Sequence, residues 1–258
     1  MMAADVGRVV ALGASNLTRG FHTVVSTARG AWGPHVEIVG ALGHGRSYGA
    51  QSRFAFRALP GILESGLWRH LESLPAVPTR ALITDVGNDI MYGFSATQTL
   101  AWVAEAVERL QKFTGDPGKI VLTDLPLAGV RRLSQAKFVV FRSILFPSCR
   151  LSLEEILQTA EQVNDGLAKL AAARRTRFFR LKPEWYSVDP IHIRPSQCRP
   201  AWQEILGSTS GAGRNGAGRL EGLTLYFTPP ERQWLFGREQ YTPQAGVKLP
   251  SGGRVWLY

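Results

Sequence analysis

The sequence has little of what builds disulfide frameworks or metal centres. Its 258 residues include two cysteines, Cys149 and Cys198, which are too few for a disulfide framework and do not stand in a metal-ligand spacing. The five histidines are also scattered, at His22, His35, His44, His70 and His192. We therefore expect free structural thiols, no metal site and no other cofactor.

Long apolar runs and targeting segments are missing as well. No stretch approaches the roughly 18 apolar residues of a transmembrane helix, so none is expected. Residues 1–16 lack a basic segment, and their short apolar run ends in a glycine turn, unlike a signal peptide. From the sequence as given we expect a cytoplasmic protein.

Positive charge is in excess: 30 Lys and Arg residues against 20 Asp and Glu residues give a net charge of +10. Such a balance attracts nucleic acids, anionic lipids and acidic small molecules. The charge is dispersed, however, and its densest run, residues 174–177, closes a helical pattern where cations complement the helix dipole. No nucleic-acid motif is present, so we predict no nucleic-acid partner and favour an anionic small-molecule substrate.

Strand and helix patterns alternate from the start of the chain to about residue 207. Helical segments begin with capping signals at Ser95 and at Ser152, the latter followed by Glu155. The short apolar runs between the helical segments are typical of buried parallel strands and lie at residues 8–13, 36–41, 80–86, 119–124 and 177–181. The alternation predicts a three-layer α/β/α domain over residues 1–207, with ligands binding beyond the carboxyl ends of the strands.

The pattern changes after residue 207. Residues 208–220 form a predicted Gly/Ser-rich linker. It holds a G-x-G-x-x-G match at Gly211, Gly213 and Gly216, but no strand leads into it and no helix follows, so no nucleotide site is predicted.

Residues 221–258 are predicted to form a small β appendage. A strand is expected at 223–227, and a hairpin is expected from the turn residues between 247–249 and 254–257. A segment this short cannot bury its own core. It should therefore pack against the α/β domain or against a second copy of the chain, which makes a homo-oligomer an open alternative.

Two groups of residues with catalytic chemistry follow the first two predicted strands. Ser15 comes directly after the first strand, where the N-terminus of the next helix would favour an oxyanion. Capping of that helix is an alternative role for Ser15. Gly43 and Gly45 follow the second strand and could offer a backbone N–H to a developing charge, although a plain turn explains them equally well.

Two further groups come later in the chain. Asn88, after the third strand, is a neutral donor suited to an oxyanion hole, or else a simple turn residue. Asp189 and His192 lie three residues apart near the end of the α/β region. A histidine activates a serine by taking its proton, and a carboxylate fixes the histidine tautomer.

In order and placement, residues 13–16, 43–45, 87–89 and 189–192 resemble the sequence blocks of the SGNH (GDSL-like) serine hydrolase superfamily. The resemblance covers about residues 7–207. It implies a flavodoxin-like parallel sheet and hydrolysis of an acyl ester through an acyl-enzyme, with no cofactor.

Residue by residue, the resemblance implies that Ser15 is the nucleophile, His192 the general base and then acid, and Asp189 the group that orients His192. It also implies an oxyanion hole made of the Ser15 N–H, the Asn88 side chain and a glycine N–H. We assign that N–H to Gly45, with Gly43 as the alternative.

The sequence departs from the family pattern at two positions. Ala14 stands where the usual Gly-Asp-Ser has its aspartate, and Ile193 replaces the proline that commonly follows the histidine. Both changes bear on substrate class and rate more than on the reaction type. The expected substrate is a short-chain ester, an O-acetylated sugar or a lysolipid. The alternative function is a non-catalytic SGNH-like binding module.

Overall fold

The computed structural model describes residues 7–207, 219–249 and 252–258. Its strands are β1 (Arg8–Leu12), β2 (Glu37–Ala41), β3 (Ser52–Phe54), β4 (Arg57–Leu59), β5 (Thr79–Ile83), β6 (Ile120–Thr123), β7 (Arg177–Phe179), β8 (Arg232–Leu235), β9 (Arg238–Tyr241), β10 (Val247–Lys248) and β11 (Arg254–Leu257). Its helices are α1 (Ser15–Trp32), α2 (Leu67–Ser73), α3 (Asn88–Met91), α4 (Ala96–Thr114), α5 (Leu127–Val130), α6 (Gln135–Leu145), α7 (Leu153–Arg174), α8 (Pro195–Leu206) and α9 (Arg219–Phe227).

The main sheet has the strand order β10-β11-β2-β1-β5-β6-β7, and all its pairs are parallel except β10 with β11. The five strands predicted from the apolar runs lie side by side in this sheet, in the order expected for a flavodoxin-like fold. In that order, the chain reverses direction across the sheet between β1 and β5. The carboxyl ends of these two strands are therefore where a ligand site is expected.

Helices cover both faces of the sheet. One buried cluster joins α2, α4 and α7 to the sheet through residues such as Leu71, Val107 and Leu167. The other joins α1 and α8 to the opposite face through residues such as Val24 and Trp202. The predicted three-layer α/β/α architecture is confirmed. Among the described residues, no helix is long and apolar enough to cross a membrane.

The C-terminal strands pair with strands from the first part of the chain. β11 pairs in parallel with the edge of β2, and β8 pairs with β4 in a second, antiparallel sheet of order β3-β4-β8-β9. The predicted hairpin of β10 and β11 is present, and these pairings confirm that the segment packs against the α/β part. The division of the chain into domains at residues 207 and 221 stays a prediction.

The strand predicted at 223–227 is wrong, because these residues belong to α9. The alternation of Leu223, Leu225 and Phe227 suggested a strand, yet only Leu225 is buried, while the other two are 53% and 73% exposed. Glu221, one helical turn before Leu225, pairs with Arg29 of α1 at 2.7 Å. The residues of this segment that face α1 therefore recur at helical spacing and not at the alternate positions of a strand. Most of the predicted linker, including the G-x-G-x-x-G match, lies in residues 208–218, outside the described residues.

Candidate active site

The turn between β1 and α1 is held by a carboxylate from a neighbouring strand. The backbone N–H groups of Ala14 and Leu17 donate to Asp85 Oδ2 at 2.9 and 3.0 Å. Ala14 has no side chain that could cap α1, so Asp85, which follows β5, satisfies these free donors from outside. Asp85 adopts a φ of +60° in doing so. The alternative role of Ser15 as a helix cap does not apply, since Ser15 is the first residue of α1 and Ala14 holds the cap position.

Asn16 joins this turn to the loop that carries the predicted histidine. Its Nδ2 donates to Asp85 Oδ1 at 2.9 Å and to the carbonyl oxygen of Ile191 at 2.8 Å. Its Oδ1 accepts from the backbone N–H of Ile193 at 2.8 Å. The sequence motifs assign a role in the site to neither Asn16 nor Asp85. The family pattern gave only one hint, the missing aspartate at Ala14.

The structure brings Ser15, His192 and Asp189 together. Ser15 Oγ lies 2.9 Å from His192 Nε2, and His192 Nδ1 lies 2.7 Å from Asp189 Oδ2. The imidazole side chain is 8% exposed. A proton on Nδ1 is donated to the carboxylate in this arrangement, which leaves Nε2 free to accept the proton of the Ser15 hydroxyl.

Several donors stabilise the charge of Asp189. Its Oδ1 accepts from the backbone N–H groups of Ile191 and His192 at 3.3 and 3.2 Å. Burial alone would raise the pKa of the Asp189 carboxyl. The hydrogen bond and the charge of His192, with the two backbone donors, outweigh burial and lower this pKa below its usual value. Arg19 Nη1, at 3.6 Å from Asp189 Oδ2, is a further positive group beside the carboxylate.

Asn88 follows β5 at the same edge of the sheet at which Ser15 follows β1. It is the first residue of α3, and it lines the same cavity as Ser15. Its Nδ2 donates to the carbonyl oxygen of Arg46 at a long 3.3 Å. The Asn88 side chain is therefore an uncharged donor on the wall of the cavity that Ser15 also lines.

The loop opposite Asn88 is anchored by Asp89. The Asp89 carboxylate is fully buried and accepts hydrogen bonds from Ser47 Oγ and from the backbone N–H of Tyr48. Burial raises the pKa of Asp89 to about 6, although both hydrogen bonds act to lower it. Because Asp89 follows Asn88 directly, it fixes the loop relative to the Asn88 side chain.

The two candidate glycines are constrained differently, Gly45 by its backbone conformation and Gly43 by the neighbouring Leu59 side chain. A Cβ on Gly43 would lie 2.1 Å from Leu59 Cδ1, and Gly45 has a φ of +66°. Within the described part of the chain, neither glycine shares a hydrogen bond with Ser15 or Asn88. The assignment of an oxyanion donor to Gly45 rather than Gly43 therefore stays a prediction.

Comparison with solved structures identifies the fold. Two structures of the M. smegmatis aryl esterase, native and inhibitor-bound, superpose with TM-scores of 0.50 and 0.51 at 14% identity, covering 78% of this chain and 97% of theirs. Est24, a carbohydrate acetylesterase from Sinorhizobium meliloti, gives a TM-score of 0.50 at 15% identity with the same coverage. The chain has the SGNH hydrolase fold. No protein-family model matches it, and neither does any curated protein sequence.

On this SGNH fold, Arg46 connects the loop beside Asn88 to the C-terminal strand. Its guanidinium is fully buried and donates to the carbonyl oxygens of Leu42 and Pro60, both at 3.2 Å, and of Tyr258. Burial lowers the pKa of Arg46 to about 9. Buried charge of this kind is tolerated because backbone carbonyls solvate it, so the loop and the end of β11 are held together.

An apolar cavity of about 140 Å³ opens beside Ser15 and Asn88. It extends under α6 and α7, and its walls include Ile90, Met91, Phe138, Phe141, Leu145 and Ile156. Such a cavity suits an aliphatic group attached to the atom that Ser15 would attack. Among the described residues, no cluster of three or more His, Cys, Asp and Glu side chains could hold a metal ion.

Proposed function

We propose that this chain is a serine hydrolase that cleaves carboxylic (acyl) esters. The observation that carries the proposal is the hydrogen-bonded series Ser15–His192–Asp189 at the mouth of an apolar cavity. The SGNH fold supports it, because the nucleophile stands where that fold places its ligand site. The similar aryl esterase and carbohydrate acetylesterase agree with an ester substrate while differing in the alcohol part.

The proposed reaction has two halves. Ser15 Oγ attacks the acyl carbon as His192 Nε2 takes the hydroxyl proton, and the bond to the alcohol oxygen then breaks as His192 returns that proton to it. Water, deprotonated by His192, next attacks the acyl carbon; the bond from that carbon to Ser15 Oγ breaks, His192 returns the proton to Ser15 Oγ, and the carboxylic acid is released. Throughout, Asp189 holds His192 in the required tautomer.

The oxyanion of each tetrahedral intermediate needs fixed donors. We assign this role to the Ser15 N–H at the start of α1, to the Asn88 side chain and to the Gly45 N–H, with Gly43 as the alternative. Donors on rigid elements are effective because they need not reorganise when the charge develops. The acyl chain would occupy the cavity beneath α6.

A fluorophosphonate probe tests the nucleophile. We expect covalent labelling of Ser15, located by peptide mass mapping, and loss of labelling in Ser15→Ala. Ser26→Ala, in the same helix but away from the site, is the matched control and should label normally. A p-nitrophenyl ester series of increasing chain length should show hydrolysis that depends on Ser15. A folded protein that neither labels nor hydrolyses any ester would instead support the alternative, a non-catalytic binding module.

A further inference from the structure

A second and larger cavity, of about 680 Å³, begins one turn along α1 from Ser15. Thr18 and Arg19 of α1 form one side, the loop at His44 and the β3–β4 hairpin another, and α9 with β8 the remainder. Its lining contains Arg19, Arg57, His22 and His44, and no aspartate or glutamate among the described residues. The cavity is therefore cationic, in contrast to the apolar cavity on the Ser15 and Asn88 side.

Arg57 is the unusual residue of this cavity. Its Nε is buried without a hydrogen-bond partner, and no ion pair or hydrogen bond of its side chain is found within the described residues. Burial lowers the pKa of Arg57, and no acidic group offsets that effect. A partly buried cation without a counter-charge is costly for the fold alone. This cost is understandable if a bound anion completes the site.

The cationic cavity adjoins the catalytic histidine. Arg19, on its wall, lies 3.6 Å from Asp189. Burial lowers the pKa of His44, which lines the cavity; the positive charges of Arg19, His192 and Arg57 lower it further, and Asp85 raises it. The alcohol oxygen of an ester must come within hydrogen-bond reach of His192 to be protonated. The group attached to that oxygen would then extend into this cavity.

We infer that the cationic cavity binds the alcohol part of the substrate and that Arg57 recognises an anionic group on it, a carboxylate, phosphate or sulfate. This inference rests on the proposed ester hydrolysis and narrows its substrate class to esters with an aliphatic acyl chain and a negatively charged alcohol part. Arg57 is suited to the role because a guanidinium binds such anions through paired N–H donors. Arg19 is engaged with Asp189 and adds long-range attraction.

A matched pair of substrates tests the inference. The hexanoyl esters of 3-hydroxybenzoate and of 3-hydroxybenzamide have the same acyl chain and ring, contain one ester bond each and differ in one negative charge. We expect wild-type kcat/KM to favour the anionic ester by roughly 10- to 100-fold after correction for the rates of hydroxide hydrolysis, the range for a hydrogen bond to a charged group. Arg57→Gln should remove most of this ratio, whereas Arg57→Lys should retain part of it.

Arg53→Gln is the matched control, since Arg53 lies in the same hairpin, is exposed and does not line the cavity. It should leave the ratio as in the wild type. Equal rates for the two esters in the wild type, or an unchanged ratio in a folded Arg57→Gln protein, would overturn the inference. If Arg57→Gln does not fold, the wild-type ratio of kcat/KM for the two esters still tests the inference by itself.

Binding without turnover separates this inference from the proposed function. The corresponding amides, 3-hexanoylaminobenzoate and 3-hexanoylaminobenzamide, contain no ester bond, and calorimetry measures their affinities directly. Tighter binding of the anionic amide than of the neutral amide, with loss of that difference in Arg57→Gln, would support the cationic site. This result would hold even if no ester were hydrolysed. Hydrolysis of the neutral ester with no anionic preference in rate or binding would leave the hydrolase standing and reject the anion site.

Discussion

Asp85 shows how one side chain can hold the turn around Ser15 without touching the Ser15 side chain. Its two carboxylate oxygens hold the N–H groups of Ala14 and Leu17 and the amide of Asn16, which surround Ser15 on both sides. The same Asn16 amide reaches the backbone beside His192. The distance between Ser15 and His192 is thus set by a carboxylate that can accept all three bonds at once. Ala14 gives the turn its close backbone approach without competing for these donors.

Asn88 is the residue for which a catalytic and a structural role make different predictions. If its amide stabilises the oxyanion, Asn88→Ala should lower kcat by about 100- to 1000-fold with little change in KM, because the interaction is made mainly in the transition state. Steady-state kinetics with a p-nitrophenyl ester measures this split. If Asn88 serves only to begin α3 and to bind the Arg46 carbonyl, the variant should lose stability in urea unfolding while kcat stays near the wild-type value.

At the scale of elements, α7 forms part of the wall of the apolar cavity beside Ser15. Its capping box is complete, because Ser152 and Glu155 exchange hydrogen bonds, so the helix begins at a fixed point. From there, Ile156 and Ala160 follow at helical spacing and line the cavity, while Val163 and Leu167 continue into the core. The small side chain of Ala160 leaves space that a longer acyl chain could fill.

Enlarging this side chain should shorten the acyl chain that fits. Ala160→Leu is expected to lower kcat/KM for p-nitrophenyl octanoate relative to the acetate by about tenfold, as steric exclusion of a few methylenes implies. Ala172→Leu, at an exposed position of the same helix, is the matched control and should not change the ratio. A parallel loss with both esters would mean that the variant damages the fold, and an unchanged ratio would place the acyl chain elsewhere.

The elements that the sequence predicted correctly are those whose signals are local. The five strands predicted from the sequence are short apolar runs, and the Ser152 capping box spans four residues. Both signals are therefore visible in a short window of sequence. Asp85 and Arg57 gave no such signal, since their significance comes from partners, or missing partners, distant in the chain. Helix α9 was mistaken for a strand because its alternating leucines obscured the pairing of Glu221 with Arg29, which is 192 residues away.

At the scale of the whole molecule, the last strand supports the site from the sheet edge. β11 pairs with β2, whose carboxyl end leads into the loop of Gly43 and Gly45. Trp256 is 4% exposed in the core that contains α2 and α4, and the Tyr258 carbonyl accepts a hydrogen bond from buried Arg46. The C-terminal segment also forms part of the cationic cavity through α9 and β8. The stability of the fold and the geometry of the candidate site thus depend on the same strand.

This coupling predicts that the chain ending at Gly207 is not an independent enzyme. Without β11 the edge of β2 and the apolar surface under Trp256 become exposed, so we expect aggregation, a lower Tm and loss of ester hydrolysis. A single substitution at Trp256 tests the packing of this strand without removing it. Trp256→Ala should cost about 3–5 kcal/mol of unfolding free energy in urea, as for large aromatic residues in cores. Phe227→Ala, at a side chain that is 73% exposed, is the control and should change stability by no more than about 0.5 kcal/mol. A truncated chain that stays monomeric, equally stable and active would contradict the coupling, and it would favour an independent domain that ends at residue 207.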